Sequence, residues 1–327
     1  MSQEGPFNRM FDAKKDILKP VYFKIDVIER YFKDPKYLID YSDYRGSIAL
    51  DDSYFDSDNL DDYEYIKDFG LAYSKISHFK RAIVIFADDL IKMPAKVQGY
   101  WFYYLIDKQK DYFPNEGFVK NLIYGEWVED ISIYQALLME LHFINKMCEA
   151  ISITPMFREE YSYDGSSQNQ RPIAYHNILM PTRENYYSFV NTLEKITTSN
   201  INIKTFLCSP STIKKVDGTY IDESGTTRNK GSVMLLSEWL GLNIVGNPNI
   251  QSYIIEPLKR LVKLRQTPAH KLYKNEYDET IWNDQNELIR NICKAIRYIR
   301  LLLANHPLSK AIVIPEYLYD GKHIRIY

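Results

Sequence analysis

The chain has 327 residues, above the range that one hydrophobic core usually fills, so two domains are expected. A net charge of -2 with 45% hydrophobic and 26% charged residues is ordinary globular composition and excludes a polycation that coats nucleic acid by bulk charge. Cys148, Cys208 and Cys293 lie far apart without a Cys-x-x-Cys spacing, which excludes a zinc ribbon and argues against a disulfide framework.

The start MSQEGPFNRMFDAKKD is polar, unlike a signal peptide, and no apolar run approaches the roughly 18 to 20 residues that span a bilayer. A cytoplasmic protein with no membrane partner is the expectation. Tyrosine is the unusual residue, at 28 against 13 glycines. Its apolar face and polar tip suit half-buried positions and wet interfaces.

Residues 1–130 read as a mixed α/β domain. KIDVIERYFKDP places Ile25, Ile28 and Phe32 at helical spacing and stops at Asp34-Pro35. GSIAL and KRAIVIFADD are β-branched, apolar runs bounded by turn formers, hence strands. Between them, Asp51, Asp52, Asp56, Asp58, Asp61, Asp62, Glu64 and Asp68 form an acidic stretch, read as a solvated loop rather than a metal site. Pro94 opens a helix through AKVQGYWFYYLI with Val97, Trp101 and Tyr104 on one face. Its run from Tyr100 to Tyr104 could stack bases, but core packing of an amphipathic helix explains it. Asp88 and Asp89 end a strand where α/β enzymes often place metal ligands, yet no second ligand cluster lies in register. No glycine-rich phosphate loop, nucleophile elbow or His-Glu-x-x-His motif is present, so neither metal nor cofactor is expected.

Residues 131–327 read as mainly helical. Helices are expected over 131–151, over 183–197 with Thr182 as N-cap, over 249–267 and over 280–305. The polar stretch YSYDGSSQNQRP separates the first two, and residues 203–235 read as an inserted β-ribbon turning at Asp217-Gly218. Ile250, Ile254, Leu258, Leu261 and Val262 make one apolar stripe; Leu288, Ile289, Ile292, Ile296, Ile299 and Leu303 make another. Opposite the second stripe stand Arg290, Lys294, Arg297 and Arg300. The end, AIVIPEYLYDGKHIRIY, reads as a strand and a hairpin turning at Asp320-Gly321. The fold class is therefore α+β: a mixed α/β domain, then a four-helix-bundle-like domain carrying a β-hairpin.

An arginine followed closely by a histidine occurs three times: Arg171 to His176, Arg265 to His270 and Arg300 to His306. The first sits in the polar loop. The last brackets a helix end, where a cation suits the helix dipole. Arg265 is different, because continuing the stripe Leu258, Leu261, Val262 by three residues lands on it. A guanidinium on an apolar face costs several kcal/mol unless it finds a partner, a partner chain or an anion, or snorkels to solvent. Pro268 is expected to break the helix and set His270 on the turn beyond.

The four helices together with Arg265-x4-His270 resemble the HEPN superfamily (higher eukaryotes and prokaryotes nucleotide-binding domains), over residues 131–327. The resemblance implies a metal-independent ribonuclease of a bacterial defence or toxin-type system, working as a homodimer. It assigns His270 to proton transfer at the 2'-hydroxyl or leaving oxygen and Arg265 to the phosphorane charge. In that family a polar Asn or Asp follows the arginine; here Gln266 does, and Pro268 lies inside the motif. The phrases VYFKIDVIERYFKDP, IFADDLIKMPAKVQGYWFYYLI, LRQTPAHK and LLANHP further resemble a bacterial family of unassigned activity, across most of the chain. The alternative is a non-catalytic module binding nucleic acid or an acidic partner through Lys259, Arg260, Lys263, Lys271, Arg290, Lys294, Arg297 and Arg300. The expected partners are RNA, a second copy of the chain, and a protein from the same operon.

Overall fold

The structure, a computed structural model, describes residues 4–54, 65–77, 80–126, 128–162, 172, 174–208, 213–244, 249–270 and 274–327, without the side chains of residues 42 and 268–270. It divides into two compact units, Met1–Glu129 with Leu179–Pro181 and Tyr327, and Asp130–Ile178 with Thr182–Ile326. Helices and sheet are both present, as the α+β class requires.

The first unit is built on an antiparallel sheet of β1 (Pro20–Phe23), β2 (Tyr37–Ser42), β3 (Arg45–Leu50), β4 (Asp68–Ser74), β5 (Arg81–Phe86) and β6 (Tyr112–Pro114). The order is β1-β5-β4-β3-β2, with β6 paired to the last three residues of β4. Every residue of β5 is buried, which explains why the run AIVIF after Arg81 is apolar throughout rather than alternating. Among the described residues the unit also has the short helices α1 (Pro6–Met10), α2 (Glu29–Lys33), α3 (Ala87–Lys92), α4 (Ala95–Tyr103) and α5 (Glu116–Val119). Gly70 of β4 is a steric necessity, since a Cβ there would lie 2.2 Å from the Phe118 ring.

The segment 25–33 starts as a 3-10 turn, Ile25–Ile28, before α2. At about three residues per turn the buried series becomes Ile25, Ile28 and Tyr31, and Phe32 is left 50% exposed, contrary to the helical register expected for it. On α4, Val97 and Trp101 are buried as the periodicity requires. The Trp101 Nε1 donates to the Tyr31 hydroxyl at 3.0 Å, and its ring meets Phe23 edge-on at 5.1 Å. Asp88 pairs with Lys92 on α3. Residues 55–64 of the acidic stretch lie outside the described residues.

The second unit contains β7 (Ile131–Ser132), α6 (Ile133–Ala150), α7 (Arg183–Ile196), α8 (Lys204–Leu207), β8 (Thr219–Ile221), β9 (Thr227–Asn229), α9 (Ser232–Asn243), α10 (Asn249–His270), α11 (Thr280–Ala304), α12 (Glu316–Asp320) and β10 (Ile324–Arg325). Ser132 caps α6 by accepting from Tyr134 N, and Thr182 caps α7 by accepting from Asn185 N. The α11 stripe Leu288, Ile289, Ile292, Ile296, Ile299 and Leu303 is buried and packs on α6, α10 and α7. Helices α10 and α11 are antiparallel: the rings of Tyr253 and Tyr298 meet at 6.1 Å, while Arg260 Nη1 donates to Glu287 Oε1 at 2.7 Å.

Three local expectations are corrected. The ribbon turns at Asp222–Thr226, not at Asp217-Gly218. Gly225 supplies the left-handed φ of +79° that the turn needs, and the Asp222 carboxylate accepts from Ser224 N and Thr226 N. Asp217 instead accepts from Thr219 N, and the ribbon is confined to β8 and β9, flanked by α8 and α9 within the segment read as one ribbon. Near the end, Gly321 (φ +71°) closes α12 rather than a hairpin, and β10 runs parallel to β7. Finally, α10 does not break at Pro268 but continues to His270. Proline removes one backbone donor, a loss of one hydrogen bond that the helix tolerates in its last described turn.

Candidate nucleic-acid interface

The uninterrupted α10 changes the relation between Arg265 and His270. Five residues along one helix advance about 500°, which leaves the two Cα positions about 140° apart around the axis and about 7.5 Å apart along it. Arg265 has the partner its place on the stripe demands. Its Nε lies 3.8 Å from Glu194 Oε2 on α7, and the arginine side chain is 48% exposed while the glutamate is 7% exposed. Glu194 Oε1 is held by the hydroxyls of Thr198 and Ser199, each at 2.8 Å. Arg265 thus compensates a buried carboxylate at the end of α7 and extends from there toward solvent. Lys271, Arg171 and the His270 side chain lie outside the described residues. His176 donates from Nδ1 to Asn177 O at 2.7 Å, and His306 caps the turn Pro307–Ala311 by accepting from Leu308 N.

Six of the basic residues named from sequence fall into three groups. Lys259, Lys263 and Arg290 are exposed, with Lys259 paired to Glu256 at 3.2 Å. Arg260 and Lys294 line a common groove. Arg297 is half-buried and donates to Tyr319 O, so it ties α11 to α12.

Arg300 is a correction. It is fully buried, donates through Nε and Nη2 to the carboxylate of Glu140 on α6, and donates through Nη2 to Leu318 O at 2.9 Å. The cause is helical phase: each three-residue step slips back about 60°, so two such steps carry Arg300 about 120° round from Lys294. Burial pushes the Glu140 carboxyl above its ordinary range, against the lowering effect of Arg300. Cys293 beside this pair is buried, and its thiol is pushed up to about 12.

The groove between α10 and α11 has a volume of about 430 Å³, within the ~300–1,000 Å³ of small-molecule and nucleotide sites. Tyr253, Glu256, Pro257, Arg260, Asn291, Lys294 and Tyr298 are among the residues that line it. Tyr253 is 56% exposed and its ring is tilted 33° from that of Tyr298. The Lys294 ammonium lies 5.9 Å from the centre of the Tyr298 ring, a cation-π arrangement. The groove therefore joins two stacking surfaces to two cations, and only the cations were legible beforehand. The tyrosines went unrecognised because each is an isolated aromatic in its own helix. Tyr298 carried one signal, its position between Lys294, Arg297 and the apolar stripe. The run Tyr100 to Tyr104, which sequence offered as the alternative stacking surface, places Trp101 in the core and Tyr100 OH on Val27 O.

Compared with family models, curated proteins and solved structures, the chain matches none of them.

Proposed function

We propose that the chain binds single-stranded nucleic acid, RNA in particular, through the α10–α11 groove. The observation that carries this is the pair of the exposed Tyr253 and the half-buried Tyr298, with Lys294 and Arg260 beside it. Aromatic faces stack bases with little regard to sequence, and the cations meet the phosphates. Arg290, Lys259 and Lys263 extend the same charge along the exposed sides of both helices.

Fluorescence anisotropy with a labelled single-stranded RNA tests the proposal. Tyr253→Ala with Tyr298→Ala weakens binding at least tenfold at every salt concentration. Lys294→Glu weakens it and flattens its dependence on salt. Unchanged binding in both variants overturns the proposal.

A second reading is the metal-independent ribonuclease implied by the HEPN resemblance. It is favoured by one observation, that Arg265 keeps about half its side chain in solvent at the end of its contact with Glu194. In this reading RNA is cut in the presence of chelator, and His270→Ala or Arg265→Ala abolishes the cut with oligomeric state unchanged. Intact RNA after incubation with the wild-type protein leaves binding as the activity.

A further inference from the structure

We infer that the α10–α11 groove takes the 3'-terminus of an RNA strand, with Glu287 reading the hydroxyls of the last ribose, an inference that rests on the single-strand reading above. The α11 side of the groove changes character in one direction. Tyr298, Lys294 and Asn291 line it. Glu287 and Asp284 continue the alternating spacing of four and three residues, so all five share one face of the helix. That face runs from aromatic through cationic and neutral to acidic over about 21 Å. On the α10 side, Glu256 is engaged by Lys259 at 3.2 Å. The cation opposite the acidic end is Arg260, whose Nη1 donates to Glu287 Oε1 at 2.7 Å. Oε2 of Glu287 accepts no hydrogen bond among the described residues, and the side chain is half-exposed. Burial, then the charges of Asp278 and Glu287, push the Asp284 carboxyl above its ordinary range, so this end of the groove disfavours a further anion.

A strand that stacks a base on Tyr253 and Tyr298 and sets a phosphate at Lys294 is led toward these carboxylates. An internal nucleotide there brings its next phosphate against Glu287, like charge against like. A strand that ends there brings the 2'- and 3'-hydroxyls of its last ribose instead. Both hydroxyls can donate, and a carboxylate accepts through two oxygens. Of the ends a nucleic acid can present, the RNA 3'-end alone offers two adjacent hydroxyls with no phosphate between or beyond them. A 5'-end carries a phosphate or one primary hydroxyl, and a DNA 3'-end carries a single hydroxyl. The spacing suits one nucleotide: Lys294 and Glu287 are separated by about 10 Å along α11, with a long side chain reaching inward from each.

The experiment measures anisotropy on the full chain with internally labelled RNA of one sequence at one fixed salt concentration. The RNA ends in a 3'-hydroxyl, ends in a 3'-phosphate, or is closed into a circle. The wild type binds the 3'-hydroxyl strand about tenfold tighter than the other two, although added phosphate charge alone favours the 3'-phosphorylated strand. Glu287→Gln, which keeps the size and loses the charge, brings the 3'-phosphorylated strand to within about twofold of the 3'-hydroxyl strand. Thermal melting of the variant confirms that the fold is kept. Equal affinity of the wild type for all three RNAs, with binding still weakened by Lys294→Glu, overturns the terminus inference and leaves the single-strand reading standing. A difference between the 3'-ends that Glu287→Gln leaves unchanged overturns the role of Glu287. Absence of binding to any of the three overturns both the inference and the reading beneath it.

Discussion

The buried pair Glu140–Arg300 makes the sharpest demand on the helical unit. Both side chains are at most 1% exposed, so solvent does not screen them. Arg300→Met keeps the volume and removes the charge, leaving a carboxylate without its counter-ion between α6 and α11. Breaking a buried pair from one side costs about 3–5 kcal/mol, which for a domain of this size lowers the melting temperature by about 6–20 °C. The deficit must also depend on pH in a definite direction. Burial already raises the folded pKa of Glu140 above the ordinary 4.5, and Arg300 is the group that opposes the rise. Without Arg300 the folded pKa rises further. A raised folded pKa contributes stability that is fully present below the unfolded value and is lost as pH rises through the folded value. The variant is therefore closest to wild type near pH 4.5 and falls furthest behind at pH 8. Replacing both residues, Glu140→Leu with Arg300→Met, recovers most of the loss, because an apolar pair of similar volume needs no compensation. Denaturant melts followed by far-ultraviolet circular dichroism at several pH values measure all three proteins. A single-variant deficit below about 1 kcal/mol, or one that ignores pH, would show that water reaches the pair and that the burial argument is wrong.

Further outcomes follow from other contacts. Asp222 accepts from Ser224, Thr226 and Arg228, and the Ser224 hydroxyl chiefly holds its carboxyl near a pKa of about 2 against 3.8 for the free group. A depressed folded pKa gives order that is present above pH 3.8 and lost as pH falls through about 2, so the β8–β9 amide resonances should collapse in that window; collapse near pH 4 would contradict it. Trp101→Ala removes a fully buried ring and costs about 3–5 kcal/mol, whereas Tyr31→Phe only strips the acceptor from Trp101 Nε1 and costs about 1–3 kcal/mol; equal losses in a denaturation series would refute the distinction. Chelator should leave the melting temperature unchanged, and a fall of several degrees would assign a cation to the carboxylates at Asp88 and Asp89 or the acidic stretch.

What the sequence made legible is what depends on one element at a time. The α11 stripe, the apolar run AIVIF of β5, the Thr182 cap and the core face of α4 each follow from a local period or a local cap, and each stands in the structure. Features that need two elements were hidden. The groove requires α10 and α11 to run antiparallel before Tyr253 and Tyr298 can meet, and neither tyrosine announces the other. The turn at Gly225 outcompeted Asp217-Gly218 because Asp222 brings a carboxylate to the backbone of the former. The same divide explains both arginines. Arg265 continues an apolar stripe, and Arg300 comes round onto one by helical phase. On the facing helices, Glu194 and Glu140 interrupt the buried series Val190, Leu193, Ile196 and Leu137, Leu141, Ile144. A charge on an apolar stripe costs too much to stand alone, so two such arginines imply two such carboxylates. Sequence supplies both halves of each pair without saying which belongs together. The fold decides it, giving Glu140 to Arg300 at full burial and Glu194 to Arg265 at a half-exposed edge. Only the second arginine is left with guanidinium surface to offer a ligand, so any chemistry on RNA by these two must come through Arg265.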